Sequence, residues 1–148
     1  MSAILAADLE ISNDPARIDV SLVHGFLSQS YWASGRSRGV VERSIQNSLC
    51  FGAYYQQKQV AFARVITDHA TFGYLADVFV IPEFRGRGAS KALMRAILDY
   101  PGLQDIRLWL RTRDAHGLYA QFGFRPVLKP EDMMTLDKAA GATGARPG

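Results

Sequence analysis

Residues 80–98 read VIPEFRGRGASKALMRAIL: the end of an apolar strand, a turn with two glycines and two arginines, and at once a helix. Helix starts favour Asp or Glu in their first turn, because the macrodipole is positive there. This one offers Arg85, Arg87 and Lys91, and no acid from 85 to 95. A negative charge is missing from the sequence at this point, and a bound ligand is its expected supplier. Gly86 and Gly88 let backbone amides turn inward and let a bulky anion approach without meeting a Cβ. Successive amides at a helix N-terminus form a concave anion site, so the expected ligand is a phosphate or pyrophosphate. The segment lacks the GxxxxGK[ST] of a Walker A loop, and Lys91 stands where a dinucleotide fingerprint needs its third glycine. A surface turn with incidental arginines is the plain alternative.

Working outward, YLADVFVI (Tyr74–Ile81) is the most apolar strand of the chain. Before it, CFGAYY (Cys50–Tyr55) and QVAFARVIT (Gln59–Thr67) flank the short polar QQK and predict a hairpin. DLEIS (Asp8–Ser12) alternates as a first strand. From Asp19, a good N-cap, Val20, Val23, Phe26 and Leu27 follow helical spacing. Val41, Ile45 and Leu49 mark a second helix ending near Ser48, after the aromatic loop YWASGRSRG. Downstream, the helix at 87–99 stops at Pro101 and Gly102. IRLWLR (Ile106–Arg111) alternates as a strand, and a short helix from Asp114 ends at Gly123, a C′ glycine. FRPVL (Phe124–Leu128) and MMTL (Met133–Leu136) read as final strands. The order β-α-α-β-β-β-α-β-α-β predicts an α/β (α+β) fold, one mainly antiparallel sheet flanked by helices. No repeat or linker interrupts it, so one domain is expected over 1–137, with a disordered tail at 138–148.

The chain has 148 residues, 48% hydrophobic and 21% charged, the make-up of one globular domain. Its single cysteine excludes an internal disulfide framework and fits a reducing compartment. No apolar run approaches the roughly 18 residues of a membrane span, and the N-terminus carries Asp8 and Glu10 rather than a signal pattern. A cytoplasmic protein without a membrane partner is expected. The net charge of +3 is low for a nucleic-acid binder. His24, His69 and His116 are too dispersed for a metal motif, and no metal is expected.

Arg85-Gly86-Arg87-Gly88-Ala89-Ser90, preceded by VIPEF, resembles the acetyl-CoA signature [QR]-x-x-G-x-[GA] of the GNAT superfamily of N-acetyltransferases, with Ser in place of the final Gly or Ala. LYAQFGF (Leu118–Phe124) is similar to that family's LYxxxGF element, and RDAHGLYAQFGF resembles small bacterial members without an assigned substrate. The order and spacing of the two motifs match as well. The resemblance implies an acetyl-CoA-dependent N-acetyltransferase that moves an acetyl group to a primary amine of a small molecule or peptide, by direct attack in a ternary complex. It implies that backbone amides of Arg85, Gly86, Arg87, Gly88, Ala89 and Ser90 hold the coenzyme A pyrophosphate. The strand backbone at Val78, Phe79 and Val80 would pair with the pantetheine arm, and Tyr119 would stand by the thioester sulfur as acid. The loop between the first two helices, with Tyr31, Trp32 and Arg36, would line the acceptor pocket.

The chemistry asks for a proton acceptor, a polarised carbonyl and a proton for the departing thiolate. Asp77, alone in an apolar strand, is the candidate base, since burial raises a carboxylate's pKa. Its alternative is to pair with a nearby arginine. Glu83 on the loop lip and His116, one helical turn before Tyr119, are lesser candidates, and a water chain would leave no trace. Tyr119 also has a plain core reading, on a stripe with Phe122. Cys50 opens an apolar strand with nothing beside it to activate a thiolate. The acceptor is left open among a polyamine, an aminoglycoside, an amino acid and a protein N-terminus. A homodimer is compatible with all of this. The rival of another class is a non-catalytic acyl-CoA-binding sensor or interaction module, which needs the glycine loop and no base.

Overall fold

The structure, a computed structural model, describes residue 4 and residues 6–138. The chain divides into two compact units, Met1–Arg111 and Thr112–Gly148. The first holds a five-stranded sheet in the order β1 (Glu10–Ser12), β2 (Leu49–Tyr55), β3 (Lys58–Thr67), β4 (Gly73–Val80) and β5 (Leu108–Leu110). All neighbours are antiparallel except β4 and β5. A parallel neighbour needs a crossover, and α3 (Ala89–Asp99) supplies it. Helices α1 (Val20–Leu27) and α2 (Arg38–Gln46) lie between β1 and β2 in sequence.

Local chemistry explains these boundaries. The Asp19 carboxylate accepts from the Leu22 N–H at 3.0 Å, and the Ser37 hydroxyl accepts from the Val40 N–H at 3.2 Å, so α1 and α2 are both side-chain capped. Each buries residues four apart, Val23 with Leu27 and Val41 with Ile45. Those four join Ile18, Ala33, Cys50, Phe62 and Phe79 in one apolar cluster, with Phe26 stacked on Phe79 at 4.1 Å. Side chains alternate along a strand, so Phe62 and Arg64 of β3 face this cluster, while Ala61, Ala63 and Val65 face the other way. There α3 packs on β2, β3 and β4 through its buried Leu93, Met94 and Ile97. β3 is therefore covered on both faces. Tyr100, ahead of Pro101, is extended and ends α3.

The QQK hairpin forms with a two-residue turn, Gln56 and Gln57 at φ 49° and 70°. Two positive φ values match the twist of a tight hairpin, which usually selects Asn-Gly. Three expectations are corrected. Residues 6–8 form a 3-10 turn, and β1 starts only at Glu10. The last helix, α4, covers only His116–Ala120, with Gly123 at φ 93° after it. The strands expected at 124–128 and 133–136 do not form. Pro126 removes a ladder donor from the first of these stretches, and Leu128 and Met134 stay 89% and 93% exposed. Of the tail expected at 138–148, residues 139–148 lie outside the described residues. No described helix is long and apolar enough to cross a membrane.

The turn generates a stability prediction. Gln57→Gly relieves a left-handed backbone cost of about 1–2 kcal/mol and gives back about 0.4–1 kcal/mol through the freer unfolded chain. The midpoint of thermal unfolding, followed by circular dichroism, should rise by about 1–3 °C.

Candidate active site at the β4 bulge and the glycine loop

The middle of β4 breaks step with β3. Phe62 opposes Phe79 and Arg64 opposes Ala76, so β3 advances two residues while β4 retreats three. Ala63 thus faces both Asp77 and Val78, a β-bulge with Asp77 at φ 56°. A non-glycine residue in that region is held there by its surroundings, and the holding contacts are clear. Asp77 Oδ2 accepts from Arg36 NH1 at 2.8 Å and from Arg64 Nε at 2.9 Å, and Oδ1 accepts from Trp32 Nε1 at 2.9 Å. The Asp77 side chain is 1% exposed. Arg64 also donates to the Ser48 hydroxyl at 3.2 Å.

Beside the bulge the sheet opens. β4 and β5 pair only at Gly73–Leu108, Tyr74–Trp109 and Leu75–Leu110, whereas β4 runs on to Val80. The β4 edge over residues 76–80 therefore has no β5 partner. The glycine loop follows directly. A 3-10 turn at Pro82–Phe84 leads into Arg85, whose Nε donates to the Val80 carbonyl at 3.2 Å. Arg87 Nε donates to the Glu83 carbonyl at 3.3 Å, with its guanidinium 5.9 Å from the Phe84 ring centre. Gly86 and Gly88 take φ 77° and 83°. Gly88 is the N-cap of α3, and no side chain caps that helix, in contrast to α1 and α2. A Cβ on Gly86 would meet nothing within 4 Å, so there is room against the backbone for a ligand. Uncapped amides, open space at a left-handed glycine and basic side chains fit a pyrophosphate.

The expected residues fall into three groups. Val78, Phe79, Val80 and residues 85–90 lie on one stretch from the bulge to α3, separated only by Ile81 and the 3-10 turn at Pro82–Phe84. Tyr31 and Trp32 pack edge to face at 5.2 Å, and the indole N–H ties Trp32 to the same bulge. Tyr119 belongs to the second unit, where it is buried in α4 and packs edge to face on Phe124 at 5.9 Å. Of the two readings of Asp77, the geometry matches the ion pair. Glu83 is exposed, as is His116. Burial pushes the Cys50 thiol up to about 12, so at neutral pH it is no thiolate.

Sequence reading missed Arg64 and the bulge. The signal for Arg64 was present: one arginine in an otherwise apolar strand, one hairpin away from a lone aspartate in another. The bulge had no such signal, because an extra residue in a ladder is visible only against its partner strand. Burial pushes the Tyr74 phenol up, and Arg111 and Asp77 both act on it electrostatically. Among the described residues, no group of three or more His, Cys, Asp or Glu could hold a metal ion.

Replacing Asp77 by Ala leaves the Arg64 guanidinium buried without its carboxylate, a loss of about 3–5 kcal/mol for a broken buried pair. The midpoint of urea unfolding should fall accordingly, and Arg36→Gln should lower it much less, since the Arg36 side chain is 30% exposed.

Comparison with known proteins gives a consistent result. Residues 46–126 match the family model described as an acetyltransferase (GNAT) domain. A crystal structure from Xanthomonas campestris pv. campestris, of a protein described as belonging to the GNAT family, is 51% identical; the match covers 87% of this chain and 92% of that one, with a TM-score of 0.85. A Gibberella zeae protein named as an acetyltransferase, FG08082, is 29% identical over 77% of each chain. A Clostridium acetobutylicum structure described as an acetyltransferase with acetyl-CoA shares the fold at 16% identity, covering 87% and 94% of the two chains with a TM-score of 0.63. The family match takes in the bulge, the glycine loop and α4 together: the chain belongs to the GNAT acetyltransferase family.

Proposed function

We propose that this protein transfers an acetyl group from acetyl-CoA to a primary amine, with both substrates bound together. The observation that carries the reading is the run from 76 to 90: an unpaired strand edge that ends in two left-handed glycines and an uncapped helix mouth. Acetyl-CoA supplies an activated thioester there. The amides of residues 85–90 would hold the pyrophosphate, with Arg85 and Arg87 bracing the loop through the Val80 and Glu83 carbonyls. The β4 backbone at Val78–Val80 would pair with the pantetheine arm, an added half-strand on an open edge.

Tyr119 is proposed to donate a proton to the departing thiolate. The role rests on the LYAQFGF motif and on the need for an acid with a movable proton. Asp77 we assign a positioning role instead of the base. Both of its oxygens are engaged, two of the three donors are guanidinium groups, and its side chain is shut away from solvent. It holds the bulge and the Tyr31–Arg36 loop in one arrangement, and water is left to carry the amine's proton away. The same pairing favours one other reading, an acyl-CoA-binding module without catalysis, because no carboxylate of β4 is open to an amine.

Isothermal titration of acetyl-CoA tests the cofactor reading. Gly88→Asp adds a side chain at φ 83°, 3.1 Å from the Ala6 Cβ, and a charge that repels phosphate; affinity should fall at least 100-fold. Gly86→Asp, whose Cβ has open space, should do the same in a fully folded protein. Equal affinity in the folded variants would remove the loop as the site. Tyr119→Phe keeps the ring on Phe124 and loses only the O–H. Its kcat for thiol release with an amine substrate should drop about 100-fold or more at unchanged acetyl-CoA affinity. An unchanged kcat would rule out the acid role.

A further inference from the structure

The face beside the bulge is short of negative charge. Across the α1–α2 loop (28–37), β3 from 60 to 66, β4 and residues 108–111, the charged side chains are Arg36, Arg64, Arg111 and Asp77. These segments hold three guanidinium groups and one carboxylate. Asp77 spends Oδ2 on two of them, at 2.8 and 2.9 Å. Arg64 is closed off, with its side chain 9% exposed and its NH1 on Ser48. Arg36 is different. NH1 reaches Asp77, while its side chain is 30% exposed and makes no other side-chain hydrogen bond among the described residues.

The Arg36 backbone is also fixed. Its N–H donates to the Ala33 carbonyl at 3.1 Å, and its own carbonyl accepts from His24 Nε2 of α1 at 3.2 Å. A guanidinium held at its backbone and at one nitrogen keeps a planar fork of donors ready for a second carboxylate, and little rotamer freedom remains to be lost on binding. We propose that the acceptor amine carries a carboxylate and that Arg36 receives it. The proposal rests on the transferase reading above and names its substrate class. It separates the acceptors that the aromatic loop leaves open: an amino-acid-like amine brings the missing negative charge, whereas a polyamine or aminoglycoside brings further positive charge to a positive face.

Succinate and putrescine test this directly, being four-carbon probes of opposite charge. The chain has two tryptophans, so a Trp109→Phe background leaves Trp32 as the reporter, bonded through Nε1 to the carboxylate that Arg36 shares. At constant ionic strength, succinate should change Trp32 fluorescence saturably and putrescine should not. Arg36→Gln should weaken the succinate response at least tenfold with the Arg64–Asp77 pair intact, and Arg36→Lys should keep part of it. Saturation by putrescine, no response to either probe, or an unaltered response in Arg36→Gln would each overturn the proposal. Acetyl-CoA titration of the same protein keeps the two readings apart. Cofactor binding without a succinate response removes the carboxylate subsite alone. An Arg36-dependent succinate response without cofactor binding keeps the subsite and removes the transferase. In turnover, an amino acid should be acetylated at least ten times faster than its decarboxylated amine, and the reverse order would also overturn the proposal.

Discussion

Two guanidinium groups and an indole N–H converge on one carboxylate, and that carboxylate sits where β4 falls out of step with β3. A bulge is a local cost, since it leaves a residue out of the ladder and here sets Asp77 in left-handed backbone. The ion pairs are what make that conformation hold. In a buried setting the carboxylate must have its partners, and this backbone arrangement brings Asp77 to Arg64 on the next strand and to Trp32 and Arg36 on a distant loop. One side chain therefore joins the sheet to the α1–α2 loop.

The consequences run along the chain in both directions. The bulge lies where β4 and β5 have already stopped pairing, so the last five residues of β4 offer an open edge. That edge passes straight into the glycine loop. Two left-handed glycines then aim the backbone into α3 without a side-chain cap. A helix mouth of this kind is poor for stability and good for an anion, because the unpaired amides and the dipole act on whatever negative group arrives. Stability is recovered on the far side of the same helix, where Leu93, Met94 and Ile97 close the core.

The glycine loop was the most legible part of the candidate site, because its evidence is local: residue types in a fixed order beside a strand and a helix. Most elements were legible for the same reason. Asp19 capped its helix as its side chain allows, and the QQK hairpin closed as the flanking apolar runs require. The final strands were misread because alternation is only half of a strand. The other half is a neighbour that takes the backbone hydrogen bonds, and in the first of the two Pro126 also lacks a donor. Asp77 could be recognised as unusual, yet the arginines it pairs with lie 13 and 41 residues away in the chain.

The sequence by itself determined what depends on near neighbours: the first three helices with the Asp19 cap, the hairpin, the glycine-rich helix mouth with its missing acid, and the motifs that carry the family. Tertiary structure alone decided the bulge, the open β4 edge, the removal of Asp77 from solvent and the pairing that leaves Arg36 with donors to spare. The physical reason is range. Capping, turn chemistry and periodicity act over a few residues, whereas register, burial and ion pairing are properties of two segments at once and exist only when the fold has brought them together.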